Sequence, residues 1–296
     1  MNKSVNAIPS NPAQPCWCGS HRPYRDCHSA IDQHLESLRH AGAEVPDRSL
    51  LKTEEQIAGI RRSAKVNIDV LDYVQERIKE GITTEEIDRW VYEQTTRTGA
   101  IPAPLNYEGY PKSVCTSIDE VVCHGIPSRD RVLKEGDIIN VDCSTILNGY
   151  FSDSSRMFVI GRTTPEKQKL VDVTRQCVYA GLEEVKPWNT LGDMSHVIKT
   201  MARSNGFSVV REIGGHGCGL EFHEEPFVSY VLRKGTGMVM VPGMVFTIEP
   251  MINMGVARVT VDRKDGWTVR TADGKPSAQW ELQVLVTHDG HEILSY

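Results

Sequence analysis

The sequence predicts an α+β fold of two related halves facing each other across a central site, with a short separate segment in front. Three observations predict it. Two capped helical stretches followed by strand-like runs occur twice, once from Thr53 and again from Thr164. The strand-like runs read as antiparallel, because one pair is joined by Asn148-Gly149, the dipeptide that favours a tight type I′ turn. The first 28 residues hold three of the eight cysteines and an adjacent histidine, a spacing unlike the scattered cysteines that follow.

Taken in order, residues 1 to 15 are rich in Asn, Pro and Ser and are expected to be disordered. Cys16, Cys18, Cys27 and His28 then form a C-x-C-x8-C-H array. Three thiolates and one imidazole suit a tetrahedral structural zinc, and so short a segment has little core without metal. Ile31, Leu35 and Leu38 extend this knuckle, residues 16 to 41, with a short helix, and residues 42 to 49 read as a linker to a domain spanning 50 to 296.

Thr53 and Gln56 make a capping box, and Ile57, Ile60, Ala64, Ile68, Leu71 and Ile78 follow at helical spacing up to Gly81. Thr83 and Glu86 open a second helix that Gly99 closes. A Pro- and Tyr-rich loop covers residues 101 to 111, and SVCTSI and VVCHGIP read as strand-like. In the second half, Thr164-Pro165 starts a helix running to about Val185, and Leu191 to Asn205 forms another before Gly206.

Between these halves lies DIINVDCSTILNGYFSD, residues 137 to 153. Ile139, Val141, Cys143 and Thr145 alternate with polar or small residues, the period of a half-buried strand. With a two-residue turn, Leu147 pairs with Tyr150 and Ser144 falls opposite Asp153. Asp142, two residues from Ser144, then shares a face with Asp153, about 7–8 Å away as a diagonal neighbour. Two carboxylates converging on a strand pair repel unless a cation lies between them.

The second half carries further ligand types in strand or glycine contexts. In GGHGCGLEFHEEP, glycines flank His216 and allow close backbone approach, with His223 seven residues on. In VFTIEPM, Glu249 ends an apolar strand that Pro250 breaks. In SAQWELQVLVT, Glu281 and Gln283 are expected on one strand face, with Leu282, Val284 and Val286 on the other. Any one of these has a structural explanation, but two Asp, two Glu and a His together point to a metal site.

Composition sets the bounds. In 296 residues, 40% hydrophobic and 24% charged, there is material for a sizeable core. A net charge of −6 implies no general attraction to nucleic acid or acidic membranes, and no sequence-specific nucleic-acid binding is expected. The N-terminus lacks the apolar core of a signal peptide, no run is long enough to span a membrane, and the cysteines do not form a secreted framework. A reducing cytoplasm is the expected location.

From about Leu50 to the C-terminus the chain resembles type I methionine aminopeptidases. The blocks that carry the resemblance are PKSVCTSIDEVVCHGIP, INVDCSTILNGYFSDSSRMF, GGHGCGLEFHEEP, VFTIEPM and DGWTVRTADGKPSAQWE, in the family's order. The resemblance implies a pita-bread fold, two pseudo-symmetric halves around a curved antiparallel sheet. It implies two divalent ions (Mn, Fe, Co or Zn) on Asp142, Asp153, His216, Glu249 and Glu281, with Asp153 and Glu281 bridging and Glu249 also a general base. It makes His223 a donor to the substrate carbonyl, gives His124 a contact to the scissile amide, and forms the methionine pocket from Tyr107, Tyr110, Cys115, Phe222 and Trp267. The substrate implied is the N-terminal methionine of nascent polypeptides with a small second residue.

Pro104, Phe151-Ser152 and Trp280 depart from the usual pattern and bear on specificity, not on the ligands. The knuckle resembles the SEC-C zinc motif, with His28 as fourth ligand and Gly19-Ser20 and Tyr24 also matching. Its closed site serves localisation, with the ribosome as the expected partner. The rival readings are an X-Pro aminopeptidase on the same fold and a ribosome-associated binding protein without catalysis. The second predicts missing ligands, and all five are present.

Overall fold

The centre of the fold is the strand Ile138–Leu147, paired along its whole length with Tyr150–Val159. Asn148 (φ 52°) and Gly149 (φ 83°) both take the positive φ of the turn that suits a right-handed strand twist. Leu147 pairs with Tyr150 and Ser144 with Asp153, the register the sequence predicts. The computed structural model describes residues 8–296.

Among the described residues five α-helices surround the strands: α1 (Ser29–His40), α2 (Glu54–Gln75), α3 (Thr84–Arg97), α4 (Pro165–Leu182) and α5 (Leu191–Ser204). The predicted capping boxes at Thr53 and Thr83 are complete, each threonine accepting from the N3 amide while the N3 side chain accepts from the threonine amide. A further box forms at Thr190 with Asp193. Helix α2 stops at Gln75 and not at Gly81. The amides of Arg77 and Ile78 both reach Val74 O, which tightens the last turn, and Ile78 leaves the helix to pack on the first-half core.

Helix α2 lies across the hairpin. Gly59 meets the Tyr150 ring so closely that a Cβ there would sit 2.4 Å from ring carbons. One and two turns on, Ser63 Oγ donates to Thr145 O at 2.9 Å and Asn67 Nδ2 donates to Cys143 O at 2.7 Å. These polar residues lock the helix to the strand that carries Asp142.

The first-half core packs α2 and α3 on Ile139, Val141 and Cys143. The larger second-half core packs α4 and α5 against Phe246, Ile248, Leu282 and Val284. A five-stranded antiparallel sheet runs in the order His291–Ser295, Leu282–Val286, Val245–Ile248, Gly215–Gly217, Glu224–Val228. The run read as one strand, SAQWELQVLVT, is two. Ser277–Gln279 pairs with Met251–Asn253, whereas Leu282–Val286 pairs with Val245–Ile248. At the crossing between sheets, Glu281 N donates to Ser155 O at 3.2 Å, which ties the second half to the hairpin.

The N-terminal segment is docked. Residues 1–7 of the stretch expected to be disordered lie outside the described residues. Within the described part, Tyr24 N donates to Gln14 O and Arg25 N to Pro12 O, so residues 12 to 14 are bound to the knuckle. Leu35 of α1 is buried in the larger core, with Trp17, Ile31 and Leu38 packed beside it. Residues 42 to 49, read as a linker, also run against that core. Ala43 and Val45 pack on it, and Val239 N donates to Glu44 O at 2.8 Å.

Candidate active site

Asp142 and Asp153 come from the two strands of the hairpin and share one face, as their register requires. Asp142 Oδ1 is buried without a hydrogen-bond partner. Asp153 Oδ1 accepts from Ser144 Oγ at 2.7 Å, and its Oδ2 lies 3.7 Å from His216 Nε2. His216 enters from the short strand Gly215–Gly217, where the flanking glycines are a steric need. A Cβ at Gly215 would lie 2.4 Å from the Tyr230 hydroxyl, and one at Gly217 would lie 2.2 Å from Glu225 O. With Nδ1 placed 2.9 Å from Gly217 O as donor, Nε2 is left as a lone pair facing the acids.

Glu249, just beyond Val245–Ile248, lies 3.6 Å from His216 Nε2 through Oε1. Its carboxylate is held at both oxygens: Thr247 Oγ1 donates to Oε1 at 2.7 Å, and Gln279 Nε2 donates to Oε2 at 3.0 Å. Glu281, 2% exposed, completes the group from the crossing between sheets. One ligand atom each from Asp153, His216 and Glu281 lies within 4.8 Å of the others.

The electrostatics of this cluster call for positive charge. Burial pushes the Asp142 carboxyl up to about 7 and Glu249 up to about 8. Burial, then the neighbouring carboxylates, pushes Asp153 and Glu281 well above the usual range. Burial also pulls His216 down to about 3, so the imidazole is neutral and offers no counter-charge. Four buried carboxyls ionise together only when cations enter among them. Four hard carboxylates with one imidazole, and a buried Asp142 oxygen lacking a partner, fit divalent first-row ions.

The cluster lines a cleft of about 1250 Å³, and so does every pocket residue the sequence proposes: Tyr107, Tyr110, Cys115, Phe222 and Trp267, together with His124 and His223. Tyr110 is fixed by donating to Val114 O and Gly125 O at 3.1 Å, and it meets Trp267 edge-on at 5.2 Å. Tyr107 meets Phe222 edge-on at 4.9 Å and pairs its hydroxyl with His223 Nδ1 at 2.9 Å. The His223 ring lies 4.2 Å from that of His216. His124 is held at φ 55° beside Trp267, and burial pulls it down to about 4.

Of the departures noted in the sequence, Pro104 lines the cleft. Phe151 stacks on Phe222 at 6.2 Å from outside it. Trp280 instead packs on the larger core, under the Arg175 guanidinium at 5.0 Å. Sequence reasoning missed Ser144, Thr247 and Gln279, which hold the acids. Thr247 stands two residues before Glu249 on one strand and Ser144 pairs directly with Asp153 across the hairpin, and those placements are the signals that could have found these two.

At the N-terminus, Cys16, Cys18, Cys27 and His28 offer ligand atoms all within 4.8 Å of one another. His28 Nδ1 lies 3.3 Å from Cys16 Sγ and 3.2 Å from Cys27 Sγ, and Cys18 Sγ lies 3.5 Å from Cys27 Sγ. This fits the closed tetrahedral set of a structural zinc.

Residues 58–288 match the sequence profile of metallopeptidase family M24, and residues 13–30 match the SEC-C motif. The chain is 42% identical to the methionine aminopeptidase of Chlamydia trachomatis over 285 residues, 95% of this chain and 97% of that protein. It superposes on the crystal structure of methionine aminopeptidase from Rickettsia prowazekii with a TM-score of 0.81 and 42% identity, covering 83% of this chain and 99% of that one. An X-Pro aminopeptidase from Thermotoga maritima shares the fold alone, at 22% identity and a TM-score of 0.65 over 92% of this chain and 68% of that one.

Proposed function

The chain belongs to the methionine aminopeptidases of metallopeptidase family M24, and from that premise we propose that it removes the N-terminal methionine of newly made polypeptides whose second residue is small. The observation that carries this is the convergence of Asp142, Asp153, His216, Glu249 and Glu281 on one cleft that Tyr107, Tyr110, Cys115, Phe222 and Trp267 also line. Asp142, Asp153, His216, Glu249 and Glu281 would hold two divalent ions, drawn from Mn, Fe, Co or Zn. Bound there, such ions would supply Lewis acidity for water activation and carbonyl polarisation.

The chain's own groups do the rest. Glu249, oriented by Thr247 and Gln279, takes the proton of the attacking water. His223, steadied by Tyr107, donates to the oxygen on which negative charge develops, and His124 contacts the scissile amide nitrogen. Tyr107, Tyr110, Cys115, Phe222 and Trp267 enclose the substrate's thioether, a polarizable group suited to aromatic and sulfur neighbours.

Met-Ala-Ser, Met-Leu-Ser, Met-Arg-Ser and Met-Pro-Ser peptides test this reading, each assayed with metal content measured on the same sample. Cleavage of the Ala peptide with little of the Leu and Arg peptides supports it. Equal rates across the series, or a rate confined to the Pro peptide, overturn it in favour of a broader or prolyl-specific peptidase.

The knuckle carries one structural zinc on Cys16, Cys18, Cys27 and His28, a closed set with no position for substrate. Its role is to place the enzyme near chains leaving the ribosome, in the cytoplasm, through a local contact that uses exposed Arg22 and Arg25. Co-sedimentation with ribosomes, compared for the full chain and an Arg22→Ala/Arg25→Ala variant, tests that assignment. Among the described residues no helix is long and apolar enough to cross a membrane.

A further inference from the structure

Lys52 sits where the chain enters the main domain. Its amide donates to Gly243 O at 2.8 Å, and Leu51 bridges to Met244. Its side chain is 1% exposed, and its ammonium pairs with Glu224 Oε2. The other oxygen of Glu224 accepts from the amides of Leu220 (2.6 Å) and Glu221 (3.0 Å). Those two amides immediately precede Phe222 and His223, the pocket wall and the proposed carbonyl donor.

The loop from Gly219 to His223 joins Gly215–Gly217 to Glu224–Val228, and its Phe222 packs against the Tyr107 and Phe151 rings. Gly219 O accepts from Phe151 N at 2.8 Å, and the Tyr107 hydroxyl meets His223 Nδ1. A lysine removed from water is costly unless paired, and a buried ion pair is a poor way to gain stability alone. What the charge adds is direction. With one oxygen held by Lys52, the Glu224 carboxylate presents the other to two successive loop amides, an arrangement that an apolar pair of the same size cannot give.

We infer that Lys52 is a positioning residue for methionine removal: it orients Glu224, which holds the Leu220–His223 loop and so sets Phe222 and His223 against the substrate. The inference rests on the proposed aminopeptidase reading and on the role given there to His223. Neither Lys52 nor Glu224 is assigned contact with the reacting atoms.

The test is steady-state hydrolysis of Met-Ala-Ser by the full chain with matched metal content. The proteins compared are wild type, His223→Ala, Lys52→Met, and the doubles Lys52→Met/Glu224→Gln and Lys52→Met/Glu224→Ala. Lys52→Met is expected to lower kcat/KM at least about tenfold, since loss of alignment by a fraction of an ångström weakens a donor that acts in the transition state. The Gln double leaves no unpaired charge and keeps an oxygen for the two amides, so it recovers to within about threefold of wild type. The Ala double is equally free of charge but lacks the acceptor, and it stays at least about tenfold low.

Loss of the ion pair is common to both doubles, so a purely stabilising pair lowers them alike. Equal kcat/KM in the two doubles, or wild-type kcat/KM in Lys52→Met, overturns the inference. If Lys52→Met does not fold, the two doubles still decide it. An inactive wild type instead removes the functional reading and this inference with it, whereas a weak His223→Ala beside an unchanged Lys52→Met removes the positioning role alone.

Discussion

Ser144 and Asp153 stand directly opposite each other across the hairpin, and the Ser144 hydroxyl donates to Asp153 Oδ1 at 2.7 Å. The bond leaves Oδ2 turned towards His216 Nε2. A register set by the Asn148-Gly149 turn therefore also sets the orientation of a proposed bridging carboxylate. Partners that orient ligands typically change metal affinity by about 10–100-fold when removed. Ser144→Ala is accordingly expected to weaken Mn or Co binding by about tenfold while the fold survives. Calorimetric titration of protein freed of cleft metal measures this, and unchanged affinity removes Ser144 from the site's support.

Glu249 has both oxygens occupied, by Thr247 and Gln279, so its carboxylate is held in one orientation. Glu249→Gln preserves the shape but removes the charge that binds metal and the basicity that accepts a proton. Loss of a general base alone costs about 10²–10⁴-fold, and loss of ligand charge adds to it. Turnover of Met-Ala-Ser is expected to fall by at least about a thousandfold with the circular dichroism spectrum unchanged. A variant within about tenfold of wild type excludes Glu249 from the chemistry.

What could be read in advance follows the range of the interactions involved. The hairpin register, and with it the shared face of Asp142 and Asp153, depends on a two-residue turn and an alternating pattern, both local. The capping boxes at Thr53 and Thr83 are four-residue signals and were equally legible. The break at Trp280–Glu281 was not, because the alternation of Ala278, Trp280, Leu282 and Val284 with polar residues runs through it unbroken. Only the competition between two sheets for the same strand moves the chain across. The Lys52–Glu224 pair joins residues 172 apart in sequence, and nothing near either one announces the other. The docking of α1 likewise depends on the second-half core, whose residues that enclose Leu35 lie far along the chain.

The buried carboxyls give the protein a pH dependence whose sign is fixed. Asp142 rises from 3.8 to about 7 on folding and Glu249 from 4.5 to about 8, chiefly through burial. A group raised on folding contributes stability that is complete below its unfolded value and is lost as pH rises through its folded value. These two contributions are therefore present near pH 4 and gone above about 8. With the knuckle kept loaded and the cleft freed of metal, Tm is expected to fall between about pH 5 and pH 8, and less so in Glu249→Gln. Added Mn or Co displaces the protons, so the Tm gain is larger at the higher pH. Scanning fluorimetry at both pH values checks this. A metal-induced gain that is equal or larger at the lower pH contradicts the account of the cluster.

The N-terminal segment is expected to affect stability more than turnover. Asp32, 4% exposed, accepts from Trp17 Nε1, Tyr24 OH and Arg48 Nε, so knuckle, α1 and the run into the main domain share one buried carboxylate. Leu35 fills part of the larger core, and covering a leucine of this kind is worth about 1.5–3 kcal/mol before Trp17, Ile31 and Val45 are counted. Removing residues 1 to 48 uncovers that surface and removes the knuckle, yet leaves Ser49 and Leu50, which line the cleft, and all five proposed cleft ligands in place. The truncated protein is therefore expected to melt at least about 5 °C lower. Its kcat on Met-Ala-Ser, per folded and metal-loaded molecule below that melting point, should stay within about twofold of the full chain, since no reacting group is touched. Lost turnover in protein that remains folded and loaded makes the knuckle part of the catalytic apparatus. An unchanged Tm shows instead that the docking seen at Leu35 contributes no stability.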